Sequence, residues 1–271
     1  LFIGAEGTLG IITAAVLKLS PLPRSVASAC IAVRDPAAAV NLLAYLRSVC
    51  GDHISSFEII GRSCLDIVFK HIPDTREPFA QPHAWMVITE LSDPLDVPLD
   101  GALNKALSTF PDGIHEFAVT LDEERAESWW KLRKAISDAQ KIDGVSIKHD
   151  VSVPISDVPA FFAQTDAALQ QAYPGVRIVA FGHIGDGNIH YNASMPEPTE
   201  NQAFFAQSEK VNRIVYDIVA ALGGSIGAEH GLGQLKREQI RHYKSALEME
   251  LMEKIKQTLD PQGLMNPGKL L

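Results

Sequence analysis

Cysteine is scarce in this chain. Its 271 residues hold three, Cys30, Cys50 and Cys64, with no C-x-x-C spacing. An odd number without a metal or redox spacing reads as buried thiols in a reducing compartment. No apolar run approaches the roughly 20 residues of a membrane span, and no signal peptide is present. No basic run breaks the formal charge of −9, and no aromatics interleave Lys and Arg. Nucleic acid is therefore excluded as a partner, and an anionic substrate would need a local cationic pocket. There is no H-E-x-x-H. The stretch Gly263-Leu264-Met265-Asn266-Pro267-Gly268-Lys269 has the glycine–lysine spacing of a phosphate loop, but Leu270 stands where Ser or Thr is required. Gly185-Asp186-Gly187 begins a dinucleotide fingerprint that reaches His190 in place of its third glycine.

Two stretches remain, and they organise the reading: Phe181-Gly182-His183-Ile184-Gly185-Asp186-Gly187-Asn188-Ile189-His190-Tyr191-Asn192, and Ala228-Glu229-His230-Gly231. Asp-Gly is a strong hairpin signal. A two-residue turn centred on Asp186-Gly187 would set His183 directly opposite His190 on one side of the sheet. Their Cβ atoms would then lie about 4.5–5.5 Å apart, near enough for two imidazoles to share an ion. Asn192 shares that face by the two-residue period of a strand. Glu229 offers a carboxylate, completing a two-histidine, one-carboxylate set with open positions. Against this stands the plainer reading of Gly-Asp-Gly-Asn as a turn alone.

In chain order the pattern alternates strands and helices. Strands are expected at Ile11–Leu19, Ser25–Val33, Ser55–Ile60, Ala84–Leu91, Ile114–Val119, Val145–Val153, Val176–Phe181 and Asn188–Ala193. Helices are expected from Asp35-Pro36 to about Val49, over Arg62–His71 and Leu99–Phe110, and from Asp122 to about Lys141. Further helices run from Ser156 or Asp157 to Ala172, over Thr199–Leu222 and over Ala246–Leu259. Several strand pairs have connections too short for a parallel crossover. The fold class is thus α+β, an antiparallel sheet with helices on one face, in two ferredoxin-like halves. The chain opens on Leu1 inside a glycine-rich turn, and is expected to be the C-terminal part of a longer protein.

On the helix after Asp122, Arg133 and Ser137 lie one turn apart on one face. An arginine fork with a hydroxyl beside it suits a carboxylate. Lys148 follows in Ile147-Lys148-His149-Asp150. Taken singly, each cation also reads as a solvated surface charge.

Gly4-Ala5-Glu6-Gly7-Thr8-Leu9-Gly10-Ile11-Ile12-Thr13, the His183–Asn192 stretch, Gly227-Ala228-Glu229-His230-Gly231 and Leu259-Asp260-Pro261 with Met265-Asn266-Pro267-Gly268-Lys269 occur in that order. Together they resemble the C-terminal part of FAD-dependent 2-hydroxyacid dehydrogenases. These are the D-lactate, D-2-hydroxyglutarate and glycolate oxidase type, of the vanillyl-alcohol oxidase flavoprotein class. The resemblance implies a residue set. His183, His190 and Glu229 are metal ligands, for zinc first, with manganese or iron as alternatives. Arg133, Ser137, Lys148 and Asn192 hold substrate, and His230 is the catalytic base. Glu6, Gly7, Thr8, Gly10, Ile11 and Asn266 line FAD, which this piece cannot hold alone. His149 stands where the family more usually carries an aromatic.

The implied organisation is a tail of an FAD domain over residues 1–23, a substrate and metal domain over 24–250, and a terminal helix and tail over 251–271. The implied partners are a small 2-hydroxy acid, the chain's own FAD domain and an electron acceptor (electron-transfer flavoprotein, quinone or cytochrome). A homodimer is allowed, and the location is cytoplasmic or peripheral to a membrane. The alternatives are a non-catalytic metal-binding or interaction module, and a metallohydrolase.

Overall fold

A computed structural model describes residues 1–271, the side chain at 198 excepted. The chain forms two compact units, residues 21–225 and residues 1–20 with 226–271.

The larger unit runs β1(Ser25–Val33), α1(Pro36–Cys50), β2(Ile54–Gly61), α2(Arg62–His71), β3(Trp85–Asp93), α3(Leu99–Thr109), β4(Ile114–Thr120), α4(Glu123–Asp143), β5(Ile147–Ser152), α5(Val158–Ala172), β6(Arg177–His183), β7(Asn188–Ser194), α6(Asn201–Phe205) and α7(Ser208–Ala221). Its seven strands form one sheet in the order β4-β1-β3-β2-β6-β7-β5, antiparallel throughout. The first four strands have the 4-1-3-2 order of a ferredoxin-like half. The other three repeat 2-3-1, and a single bridge from Ser225 to Ser152 stands where a fourth strand would join β5. The halves meet where β2 pairs β6. The α+β class with two ferredoxin-like halves therefore holds.

Helices cover the sheet on both sides, not one. Cys30, Ile60, Met86, Ile88, Val179 and Phe181 pack with Cys64, Leu65 and Val68 of α2 and with Trp129, Leu132 and Ile136 of α4. The alternate residues Ala29, Ile31, Ile59 and Val87 are equally buried, on the side where α1 and α3 contact β1 and β3. The reason lies in the strands: β1 is buried at nearly every position, a continuous apolar run rather than an alternating one.

Caps set the helix starts. Asp35 accepts from the Ala38 N–H at 2.8 Å with Pro36 in the first turn, and Asp122 accepts from the Arg125 N–H at 2.8 Å. The expected helix over Thr199–Leu222 is broken into α6 and α7. Asn201 Oδ1 accepts from the Met195 N–H at 2.7 Å, which ties the first turn to the end of β7. The three cysteines are buried thiols, and burial pushes the Cys64 thiol up to about 12.

The smaller unit holds α8(Arg237–Tyr243) and α9(Ala246–Leu259). Ser245 and Glu248 form a capping box at the start of α9. Past its end, Asp260 accepts from the Leu264 and Met265 N–H groups, each at 2.9 Å. Lys256 Nζ donates to the carbonyls of Thr8 at 2.6 Å and Met265 at 2.8 Å, and so joins the two ends of the chain. The strand expected over Ile11–Leu19 is absent among the described residues. That segment has no regular secondary structure, and Val16, Leu17 and Leu19 are exposed; a lone strand has no ladder to hold it. Helix α8, buried on Ile240, lies between the helices expected over Thr199–Leu222 and Ala246–Leu259, where none was expected.

No helix among the described residues is long and apolar enough to cross a membrane.

Candidate metal and substrate site

The site of the larger unit is on the α2–α4 side of the sheet, over β2, β6, β7 and β5. The β6–β7 hairpin is not the two-residue turn expected. Phe181 opposes His190 and His183 opposes Asn188, so the loop has four residues, Ile184 to Gly187. Asp186 keeps an ordinary backbone conformation, and its Oδ1 accepts from the Asn188 N–H at 3.0 Å, an Asx turn. Only Gly187 is left-handed, at φ 81°. A Cβ there would lie 2.1 Å from the Val153 carbonyl oxygen. The two histidines are therefore diagonal rather than opposite, but still on one face. Their ring centroids are 5.7 Å apart, within the reach of aromatic side chains at diagonal positions.

Each histidine is backed by a carboxylate on the neighbouring strand, in direct register. Glu58 of β2 opposes His183, with Oε1 2.5 Å from Nδ1. Asp150 of β5 opposes His190, with Oδ1 3.6 Å from Nδ1. His190 is buried and its ring lies 4.8 Å from that of Phe181. Two imidazoles so backed, joined by one more carboxylate, are a donor set suited to zinc, manganese or ferrous iron.

Helix α4 lays its polar edge along the same side. Arg133 donates from Nε to Glu58 Oε2 at 2.8 Å and stacks over Phe181 at 4.5 Å. Its Nη2 lies 3.5 Å from His183 Nε2. Ser137 is exposed one turn on. A further turn along, Gln140 Oε1 accepts from Asn192 Nδ2 at 2.9 Å. Lys148 opposes Asn192 across the β5–β7 ladder and is exposed. Arg133, His183, His190, Lys148 and Asn192 thus share one side of four adjacent elements. His149 points the other way. It is buried, with Nδ1 2.7 Å from the Tyr191 carbonyl oxygen and its ring edge-on to Tyr216. The family departure at this position falls in the core behind the sheet.

Sequence reasoning missed Glu58, Asp150 and Gln140. A lone Glu inside Phe57-Glu58-Ile59-Ile60 was the available signal, since a charge in an apolar strand needs a partner.

The smaller unit carries Glu229 and His230 on the loop before α8. Both side chains are largely exposed, with Glu229 Oε1 3.7 Å from His230 Nε2. The loop is anchored by Glu6, which has a positive φ of 52°. Its carboxylate accepts from the Leu232 N–H at 2.7 Å and the Gly233 N–H at 2.8 Å. Gly231 makes room: a Cβ there would fall 2.7 Å from the Glu6 carboxyl carbon. Asn266 Nδ2 donates to the Glu6 carbonyl at 2.6 Å, and Thr8 Oγ1 donates to the Ala5 carbonyl at 2.7 Å. Gly7, Gly10, Ile11 and Asn266 line one cleft of about 550 Å³ with Phe2 and Met265. Of the residues expected at FAD, these four come together around open space, while Glu6 and Thr8 turn to the chain itself.

The model of the FAD linked oxidases, C-terminal domain, matches residues 22–270. The chain is 35% identical over 271 residues to a D-2-hydroxyglutarate dehydrogenase of Xanthomonas citri pv. viticola, covering all of this chain and 56% of that protein. It is 31% identical over 278 residues to the mitochondrial D-2-hydroxyglutarate dehydrogenase of Bos taurus, covering all of this chain and 48% of that protein. The chain spans about half the length of the curated relatives it matches. Among solved structures it resembles an alkyldihydroxyacetonephosphate synthase, with a TM-score of 0.62 at 17% identity over 97% of this chain and 48% of that one. It also resembles p-cresol methylhydroxylase, with a TM-score of 0.60 at 14% identity over 92% of this chain and 53% of that one. Both likenesses are in fold. The chain belongs to the FAD-linked oxidases and is of their C-terminal domain type.

Proposed function

We propose that the chain is the substrate- and metal-binding part of an FAD-dependent dehydrogenase that oxidises a D-2-hydroxy acid to the 2-oxo acid. Relatives named D-2-hydroxyglutarate dehydrogenases favour a dicarboxylic substrate. The observation that carries the reading is the convergence of Arg133, His183 and His190 on one side of the sheet. The Arg133 bond to Glu58 uses the Nε–H alone, and the terminal nitrogens carry the other four of a guanidinium's five N–H donors. Nη2 also lies 3.5 Å from His183 Nε2; in this reading the terminal pair turns its fork to a substrate carboxylate, and Lys148 and Ser137 add a second cation and a hydroxyl. Asn192 orients the substrate from the floor of the sheet.

In this reading His183 and His190 would hold a divalent ion by their imidazoles, and Glu229 is the proposed third ligand. When bound, the ion supplies Lewis-acid polarisation of the 2-hydroxyl and FAD supplies the hydride acceptor. His230, next to that ligand, takes the hydroxyl proton on its imidazole as general base. The substrate thus loses a proton to His230 and the α-hydrogen as hydride. The reading takes the rest of the flavoprotein to be the FAD domain, with the Glu6–Ile11 segment and Asn266 lining the flavin. Zinc is the first candidate for the ion; the electron acceptor is an electron-transfer flavoprotein, a quinone or a cytochrome.

The test is steady-state turnover of D-2-hydroxy acids by the full-length flavoprotein, with metal content measured in parallel. His230→Asn should lower kcat on the order of 10²-fold or more, the scale of general-base catalysis, with the metal retained. His183→Ala should lose the metal. Near-wild-type turnover in His230→Asn removes the base assignment, and a metal-free, fully active wild type removes the ion.

A further inference from the structure

Glu58 is a charged side chain in an apolar strand. Its carboxylate is 8% exposed, and a buried charge is strongly destabilising unless it is paired and hydrogen-bonded. Both oxygens are engaged, and by different partners. Oε1 meets His183 Nδ1 at 2.5 Å, and Oε2 accepts from Arg133 Nε at 2.8 Å. The first contact is fixed by the ladder, because Glu58 and His183 are cross-strand partners. The second reaches across to α4.

The chemistry of each contact has a direction. An ionised carboxylate accepts only, so the proton of a neutral His183 ring sits on Nδ1 and Nε2 carries the lone pair. Nε2, which lies 3.5 Å from Arg133 Nη2, is then the ring atom that would turn to an ion. At Arg133, the Nε bond and the stacking on Phe181 at 4.5 Å fix the plane of the guanidinium, and so the direction of its terminal fork.

We propose that Glu58 is the positioning residue of this site: one buried carboxylate sets the tautomer of His183 and the plane of Arg133, and so holds the metal side and the carboxylate-binding side in mutual register. The inference deepens the function proposed above and rests on it for the roles of His183 and Arg133. Glu58 touches neither ion nor substrate and acts through those two side chains. A plain structural ion pair would support the fold alike, but would not govern which ring nitrogen carries the proton.

The experiment uses the chain labelled with 15N, metal-free, at a pH above the ordinary histidine value of about 6.5. Long-range proton–nitrogen spectra report the tautomer, and His183→Ala identifies the His183 signals. The expected result is a protonated Nδ1 and a bare Nε2 in the wild type, with that preference lost in Glu58→Gln. Zinc titration against a competing chelator should show Glu58→Gln binding on the order of 10–100-fold more weakly, the scale of lost outer partners of a ligand. A wild-type His183 protonated on Nε2, or a folded Glu58→Gln that keeps both the tautomer and the zinc affinity, would overturn the proposal. If Glu58→Gln does not fold, the wild-type tautomer decides alone. If the wild type binds no zinc, the metal reading of the site falls, while the tautomer still decides the role of Glu58.

Discussion

Asp143 closes α4, the helix that carries Arg133, and its removal tests how that helix is held. The carboxylate is 4% exposed and faces two cations and an imidazole at once. Lys70 Nζ donates to Oδ1 at 2.9 Å, His71 Nε2 lies 2.7 Å from the same oxygen, and Arg177 pairs with Oδ2. Lys70 and His71 end α2 and Arg177 opens β6, so one side chain fastens α4 to a helix and to the strand of His183. Burial pushes the carboxyl up, but the bonds from His71, Lys70 and Arg177 outweigh it and hold it well below the usual carboxylate range. Asp143→Asn keeps the shape and removes the charge. Hydrogen bonds to charged groups contribute about 1.5–3 kcal/mol each. Lys70 is 61% exposed and counts least, so His71 and Arg177 dominate and the loss should be about 3 kcal/mol. For a domain of about 150–250 residues each kcal/mol moves Tm by about 2–4 °C, giving a drop of about 6–12 °C.

The sign of the pH dependence follows from the lowered carboxyl. The stabilisation is fully present above the unfolded aspartate value of about 3.9 and is lost as pH falls through the folded value. The gap between wild type and Asp143→Asn should be present at pH 7 and narrow as pH falls below about 4. Thermal unfolding followed by circular dichroism over that range is the assay. A drop under about 2 °C at pH 7, or a gap that does not narrow in acid, would refute the argument that this carboxylate clasps α4.

Two further outcomes are expected. Gly187→Ala combines a left-handed φ, costing roughly 1–2 kcal/mol for a residue with a Cβ, with a clash against the Val153 carbonyl. Tm should fall and the ring–ring signals between His183 and His190 should be lost in nuclear Overhauser spectra, while an unchanged pair would show the loop can re-form. Glu6→Ala leaves the Leu232 and Gly233 amides without their acceptor, so their hydrogen exchange should quicken on the order of tenfold, about the effect of one hydrogen bond. Unaltered protection would mean that the His230 loop is held by other contacts.

What was legible in the sequence depended on whether the signal was local. Asp35-Pro36 and Asp122 announce helix starts by capping chemistry that acts within four residues, and those helices begin as read; α5 also starts after Asp157, but without a side-chain cap bond. The ferredoxin-like halves were legible because short connections forbid parallel crossovers. The hairpin failed by two residues for a local reason of its own: Asp-Gly signals a turn but not its length, and the Asp186 side chain chose an Asx turn over a left-handed backbone. The face survived that error, because a shift of two preserves side-chain parity while a shift of one inverts it.

Non-local partners were a different matter. Glu58 precedes His183 by 125 positions, and no spacing rule connects them until β2 and β6 are known to be neighbours. The same holds for Glu6 with Leu232 and Gly233, where a residue expected to face a cofactor turns its carboxylate to a loop more than 220 positions away. In both cases the trace left in the sequence is an acid in a place that gives it no local partner: inside an apolar strand for Glu58, between glycines in a turn for Glu6. Because a buried or strained acid is retained only against a compensating contact, such residues mark where the fold must bring a donor. At Glu58 the donors are the two side chains on which the proposed chemistry depends.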